Sequence, residues 1–138
     1  MILLDTNVIS EMMKKSPSAT VVRWIDKQEV THLFVSAITI AEISYGLNAM
    51  PKGKRRSLIE NAFDRAIQES FKHRILPFDE SSAHYYGRLM GRRKELGRPL
   101  SILDGQIAAI ALAHGASVAT RNTPDFMHCN LDLINPFA

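Results

Sequence analysis

Met1-Ile2-Leu3-Leu4-Asp5-Thr6-Asn7 is the stretch from which the fold is read. Ile2, Leu3 and Leu4 form an unbroken apolar run, with no residue left for a solvated face. A strand apolar on both sides belongs in the middle of a sheet that helices cover front and back. The run stops at Asp5 and a helical pattern follows at once (Val8, Ile9, Met12, Met13), so Asp5 stands at the carboxyl end of a central strand. In open α/β sheets ligands bind along that edge. A carboxylate there is a functional candidate, and it is equally a helix N-cap, a place where Asp, Thr and Asn are all common.

Outward from this strand, helices and strands alternate. A first helix is expected over residues 6–15, broken at Ser16-Pro17-Ser18, with Ser18 capping a second helix through Gln28. Leu33-Phe34-Val35 reads as a buried strand, and Ser36 caps a third helix containing Ile40, Glu42, Ile43 and Leu47. After the turn at Met50-Pro51-Lys52-Gly53, an amphipathic helix is expected over residues 54–71. Residues 74–78 form a short third strand, whose Pro77 suits a sheet edge. Asp79 opens a helix to Leu96 in which Gly87 and Gly91, one turn apart, mark a close helix–helix approach. Ser101 caps a helix over residues 102–114 that Gly115 ends. Residues 117–120 are a fourth strand and residues 131–134 a marginal fifth. Strands separated by helices imply a three-layer α/β/α sandwich on a mostly parallel sheet of four to five strands. In that topology every helix N-terminus shares an edge with every strand C-terminus.

Composition narrows the class. The 138 residues read as a single domain, and 46% hydrophobic with 22% charged residues is ordinary for a globular protein. The longest apolar run, residues 107–113, is seven residues, far below the ~20 that span a bilayer. No basic segment precedes the first apolar run, so no signal peptide is expected. Cys129 is the only cysteine, which excludes an internal disulfide and points to the reducing cytoplasm. A formal charge of +3 is compatible with a nucleic-acid partner without demonstrating one.

Four carboxylates from distant segments map to the strand-end edge: Asp5, Glu42, Asp104 and Asp125. Singly, each has a simpler explanation. Ser101-x-x-Asp104 is a capping-box pattern, Asp125 opens a short helix where acids suit the dipole, and Glu42 could be a solvated surface residue. Together they are harder to dismiss, because clustered carboxylates repel by roughly 3 kcal/mol per pair at ~5 Å and an effective dielectric of ~20. A hard divalent cation relieves that cost, and an all-oxygen set suits Mg²⁺ or Mn²⁺ rather than zinc. The five histidines are scattered without ligand spacing. A Mg²⁺–carboxylate site points to phosphate chemistry, where the ion generates hydroxide and stabilises phosphoryl charge. Basic residues cluster at Lys52, Lys54, Arg55 and Arg56, and again at Arg88, Arg92, Arg93, Lys94 and Arg98. Such runs are usually solvated helix faces, but the second leads into Asp104, which makes Arg88, Arg92, Arg93 and Arg98 candidates for holding a phosphate backbone.

The opening Met1-Ile2-Leu3-Leu4-Asp5-Thr6-Asn7-Val8-Ile9-Ser10-Glu11 resembles that of PIN-domain ribonucleases, particularly toxins of the VapC/FitB type. So do Ser36-x5-Glu42, the block from Pro99 through Asp104 to Ala109, the block from Ala119 through Asn122 to Asp125-Phe126, and the closing Asn135-Pro136-Phe137. The resemblance implies a Mg²⁺- or Mn²⁺-dependent endoribonuclease. Asp5, Glu42 and Asp104 would be its core ligands, Asp125 would complete the set, and Thr6, Asn7, Thr120 and Asn122 would support them. It also implies a homodimer neutralised by a small antitoxin, whose DNA-binding region provides the only contact with DNA. Competing readings are a metal-dependent phosphatase, which normally needs a second acid where Asn7 stands, and a non-catalytic RNA- or protein-binding module, which would not need four acids. A Rossmann nucleotide site is disfavoured because no glycine-rich turn follows the first strand.

Overall fold

Leu3 and Leu4 are both fully buried, and they enter different cores. Successive strand residues face opposite sides of a sheet, so this pair alone shows a sheet covered twice. The computed structural model describes residues 1–138. Its strands are β1 (Ile2–Leu4), β2 (Leu33–Ser36), β3 (Ile75–Leu76), β4 (Ser117–Ala119) and β5 (Leu133–Ile134). They lie in the order β3-β2-β1-β4-β5 and every pairing is parallel. In β1, Leu3 aligns with Phe34 and Val118, and Leu4 with Val35 and Ala119.

The helices are α1 (Thr6–Met12), α2 (Ala19–Asp26), α3 (Ala37–Ala49), α4 (Lys54–Arg65), α5 (Glu80–Glu95), α6 (Ile102–His114) and α7 (Thr123–Phe126). One core packs Leu3 and Val118 against Leu89 of α5, Ile107, Ala108, Ile110 and Ala111 of α6, and Phe126 of α7. The other packs Leu4, Val35 and Ala119 against Val8, Ile9, Val21, Ile43, Leu47 and Phe63 from α1 to α4. Burying each such leucine or isoleucine contributes about 2 kcal/mol. The three-layer sandwich and parallel sheet expected from the sequence are observed, and the marginal fifth strand exists as a two-residue edge.

The differences from expectation have local causes. Helix α1 ends at Met12 rather than Lys15, because the Glu11 carboxylate takes the Ser18 N–H (3.1 Å) and folds the intervening residues back. The helix expected to reach Phe71 is α-helical only to Arg65 and continues as a π-helical turn, Ala66–Ser70. That turn closes on the Phe71 N–H to Ala66 O bond (2.9 Å), which sets Phe71 into the core. Gly87 and Gly91 do not mark a close approach: a Cβ on either would meet nothing within 4 Å. The tight contact between α5 and α6 is at Gly105, where a Cβ would lie 2.5 Å from Met90 Sδ and 3.1 Å from Tyr86 Cε2.

Four segments begin at the carboxyl edge of the sheet with a side-chain cap. Asp5 accepts from the Thr6 N–H, Ser36 from Thr39, Asp79 from Ser82 and Ser101 from Asp104. This edge carries the candidate site.

Candidate active site

Asp5 is 5% exposed and both its oxygens are engaged. Oδ1 accepts the Thr6 N–H (2.8 Å), and Oδ2 accepts the Thr120 hydroxyl (2.8 Å) and the Asn7 Nδ2–H (3.2 Å). Burial pushes its carboxyl above the ordinary range, the Thr120 and Thr6 bonds pull it back, and the charges of Asp104 and Glu42 push it up again. Thr120 Oγ1 also accepts Asn7 Nδ2–H (3.2 Å) and the Asn122 N–H (3.0 Å), so the end of β1 is tied to the end of β4.

Glu42 is positioned by a chain of hydroxyls. Thr6 Oγ1 donates to Glu42 Oε1 (2.8 Å) and lies 3.0 Å from Thr39 Oγ1, while Ser36 Oγ donates to Thr39 Oγ1 (3.3 Å). Thr6 has one hydroxyl proton, which goes to Glu42, so Thr39 is the donor to Thr6. Ser36 and Thr39 are fully buried. The order Ser36, Thr39, Thr6, Glu42 then satisfies every member with one direction of donation.

Asp104 is half-buried in the first turn of α6, and its backbone N–H bonds Ser101 Oγ (3.2 Å). Cap and site roles coexist here, because the capping contact uses the main chain and leaves the carboxylate to face the edge. Burial raises the Asp104 carboxyl, the Ser101 hydroxyl lowers it, and Asp125 raises it.

Asp5, Glu42 and Asp104 line one cleft of about 380 Å³ together with Thr6, Asn7 and Asn122, and no apolar side chain lines it. Asp125 is exposed and faces an adjoining cleft of about 370 Å³ that shares Asp104 with the first. The acids therefore run along the edge in a row, with Asp104 in the middle. No three His, Cys, Asp or Glu side chains are spaced to hold a metal ion directly. The donor set still fits Mg²⁺ or Mn²⁺, since Mg²⁺ keeps several waters and is usually held through one or two carboxylates. A larger cleft of about 950 Å³, walled by Met13, Leu58, Ile59 and the basic residues that follow α1 and open α4, contains no acid.

The basic run needs correction at Arg93. It is 5% exposed, and its guanidinium is spent on the Arg98 carbonyl (2.5 Å), the Asp125 carbonyl (3.4 Å), the Met127 carbonyl and Cys129 Sγ (3.2 Å). Arg93 ties α5 to the loop after α7 and is not free for a phosphate. Arg98 lines the Asp125 cleft beside His128, whose Nε2 is 3.2 Å from Arg98 Nη1. Arg88 lies over the Tyr85 ring (4.8 Å) and Arg92 reaches the His128 carbonyl (3.3 Å), and neither lines a carboxylate cleft.

Sequence reasoning missed Ser10, Glu11, Lys14 and Arg121, all on the wall of the Asp5 cleft, and the buried Thr39. A signal existed for the first three. With Thr6 and Asn7 they form the polar stripe of α1 and its C-terminal extension, opposite the buried Val8 and Ile9. Arg121 and Thr39 carry no such pattern.

The PIN domain family model matches residues 2–126. A VapC ribonuclease, Y4jK of Sinorhizobium fredii, is 47% identical over 137 residues, covering 99% of this chain and 98% of the relative. The toxin FitB of Neisseria gonorrhoeae is 39% identical over 137 residues, 99% of each chain. Among solved structures, FitAB bound to a DNA fragment is similar with a TM-score of 0.93 at 38% identity, covering 100% of this chain and 96% of that one.

Proposed function

This chain belongs to the PIN-domain family, and from that membership we propose that it is a metal-dependent endoribonuclease, the toxin of a toxin–antitoxin pair. The observation that carries the reading is a single cleft with no apolar lining, to which β1, α3 and α6 each bring a carboxylate. Relatives named ribonuclease and toxin support the substrate class.

Asp5, Glu42 and Asp104 would hold Mg²⁺ or Mn²⁺, with Asp125 at the margin. Such an ion supplies an activated water and neutralises charge on the phosphoryl oxygens. The chain's own contribution is pre-organisation. Thr120 and Asn7 fix the Asp5 carboxylate, the hydroxyl chain from Ser36 fixes Glu42, and the Ser101 cap fixes the turn that carries Asp104. A phosphatase reading gains nothing from Asn7, whose amide bridges Asp5 and Thr120 rather than facing a substrate as an acid would.

Purified protein should cut single-stranded RNA with Mg²⁺ or Mn²⁺ and lose that activity in EDTA. Asp5→Asn, Glu42→Gln and Asp104→Asn should each lower the rate by on the order of a hundredfold or more, a loss of about 2.7 kcal/mol in transition-state stabilisation. Asp125→Asn should be milder. Cutting that persists undiminished in excess chelator would refute the metal mechanism.

The relative solved with DNA is a two-component assembly, FitAB, which supports a cognate antitoxin that carries the DNA contact here as well. In this reading the toxin is a cytoplasmic homodimer. Expression of this protein alone should arrest growth. A small reading frame encoding a DNA-binding protein is expected beside its gene, and co-expressing that frame should restore growth; continued arrest would remove the toxin–antitoxin assignment.

A further inference from the structure

Glu11 is a carboxylate that the cleft chemistry leaves unexplained. It is 6% exposed, and both oxygens are engaged. Oε1 faces Lys14 Nζ at 3.0 Å and Arg121 Nη2 at 3.5 Å, and Oε2 accepts the Ser18 N–H at 3.1 Å. The two cations are 59% and 53% exposed, and both line the cleft that holds Asp5, Glu42 and Asp104. Two cations against one carboxylate leave a surplus positive charge on the wall of a negative cleft.

Arg121 is held from three sides, unlike an ordinary surface arginine. Its guanidinium carbon sits 3.9 Å from the centroid of the Phe137 ring, its Nη2 faces Glu11, and its backbone N–H donates to Asn7 Oδ1 (3.1 Å). Asn7 in turn bonds Asp5, so the arginine is registered against the central acid through one residue. Phe137 is itself fixed, because its N–H donates to Asn135 Oδ1 (2.9 Å). A guanidinium carries five N–H donors in a planar fork that matches phosphate oxygens in pairs. One of its nitrogens is engaged with Glu11, and Arg121 itself lines the cleft.

We propose that Arg121 grips a backbone phosphate of the RNA beside the acidic cleft, with Glu11 and Phe137 as the positioning residues that aim it. The inference rests on the ribonuclease reading and names a substrate contact within it. A phosphodiester approaching three carboxylates meets repulsion, and a fixed cation on the wall offsets that repulsion at one register of the strand. The Lys14 ammonium adds charge without fixing direction, since it is a point charge on a flexible stem.

The test uses full-length protein and a labelled single-stranded RNA dodecamer of mixed sequence. Steady-state cleavage is measured in Mn²⁺ at several salt concentrations, binding in EDTA, and the melting temperature of every variant. Arg121→Ala should raise KM about tenfold with kcat within a few-fold of the parent, and should reduce the slope of log(kcat/KM) against log[salt] by about one. The same substitution should weaken binding in parallel. Arg121→Lys keeps the charge and the salt slope but should recover only part of KM, because the fork and the stacking are lost. Phe137→Leu should raise KM several-fold with an unchanged salt slope, measured well below its own melting temperature. Glu11→Gln should raise KM several-fold without altering kcat, at a lower melting temperature because its carboxylate holds the Ser18 N–H. Parent-like KM and salt slope in Arg121→Ala would overturn the proposal while leaving the ribonuclease reading intact. A parent protein that cleaves no RNA would overturn both.

Discussion

At the scale of single residues, the acids of this protein respond to pH in opposite directions, and that separates site from scaffold. Asp79 receives the Ser82 N–H (3.0 Å), which holds its carboxyl below the ordinary range. Its contribution to stability is present above the unfolded carboxylate pKa and is lost as pH falls through the lowered folded value. Asp104 is raised by burial, so the folded state binds more protons than the unfolded state just above the ordinary carboxylate range. Its contribution is complete at low pH and is lost as pH rises through the raised value. We predict that in EDTA Asp79→Asn makes the acid limb of the stability profile shallower, and that Asp104→Asn removes a decline on the neutral side. Urea unfolding as a function of pH checks both, and parallel profiles in all three proteins would contradict them. Asp5, Glu42 and Asp104 were legible as edge residues because parallel topology brings strand ends and helix starts to one side. Arg93 was not legible, since nothing local distinguishes a buried arginine that collects four acceptors from its exposed neighbours Arg92 and Lys94.

At the scale of elements, α5 and α6 meet at a glycine that periodicity did not single out. Gly105→Ala places a methyl 2.5 Å from Met90 Sδ and 3.1 Å from Tyr86 Cε2, so the thioether and the ring must both give way. We expect a loss of roughly 1–3 kcal/mol. Gly87 and Gly91 sit in exposed helix interior with open space around them, so Gly91→Ala should be neutral or stabilising by up to about 1 kcal/mol. Thermal unfolding of the two variants gives the sign of each, and a stabilised Gly105→Ala would show that the helices are not in tight contact there. Helix starts were legible because Ser18, Ser36, Asp79 and Ser101 each cap by a local bond. The end of α1 and the π-helical turn were not, because a distant amide and a core aromatic decide them.

At the scale of the whole molecule, the proposed metal site would link ion binding to folding. Without metal, Asp104→Asn leaves the Ser101 cap in place, because that bond uses the Asp104 backbone N–H. The substitution removes one charge from a repelling group, so the metal-free fold should be unchanged or more stable by on the order of 1 kcal/mol. The parent should gain from Mg²⁺, by about 2.7 kcal/mol at a hundred times the Kd, since only the folded chain assembles the cleft. That gain should be missing in Asp104→Asn. Melting curves of both proteins in EDTA and in millimolar Mg²⁺ decide the matter, and equal Mg²⁺ responses would mean that the carboxylates do not share one site.

The position of β1 also sets when in its own synthesis the protein can become active. Of these five strands the earliest in sequence is the central one, and its two partners are separated along the chain: β2 follows soon, whereas β4 begins at Ser117. Until β4 has left the ribosome, one edge of β1 has no pairing partner, the Asp5 N–H lacks its Ala119 carbonyl, and the Asp5 carboxylate lacks the Thr120 hydroxyl. A nascent chain carrying Asp5, Glu42 and Asp104 therefore has the three acids of the cleft and is still without a site. A protein comprising residues 1–116 should neither fold cooperatively nor cleave RNA, and measurable cleavage by it would show otherwise. Under the ribonuclease reading, this order of assembly is a delay built into translation: the ribosome has passed most of these 138 residues before the product can act on RNA.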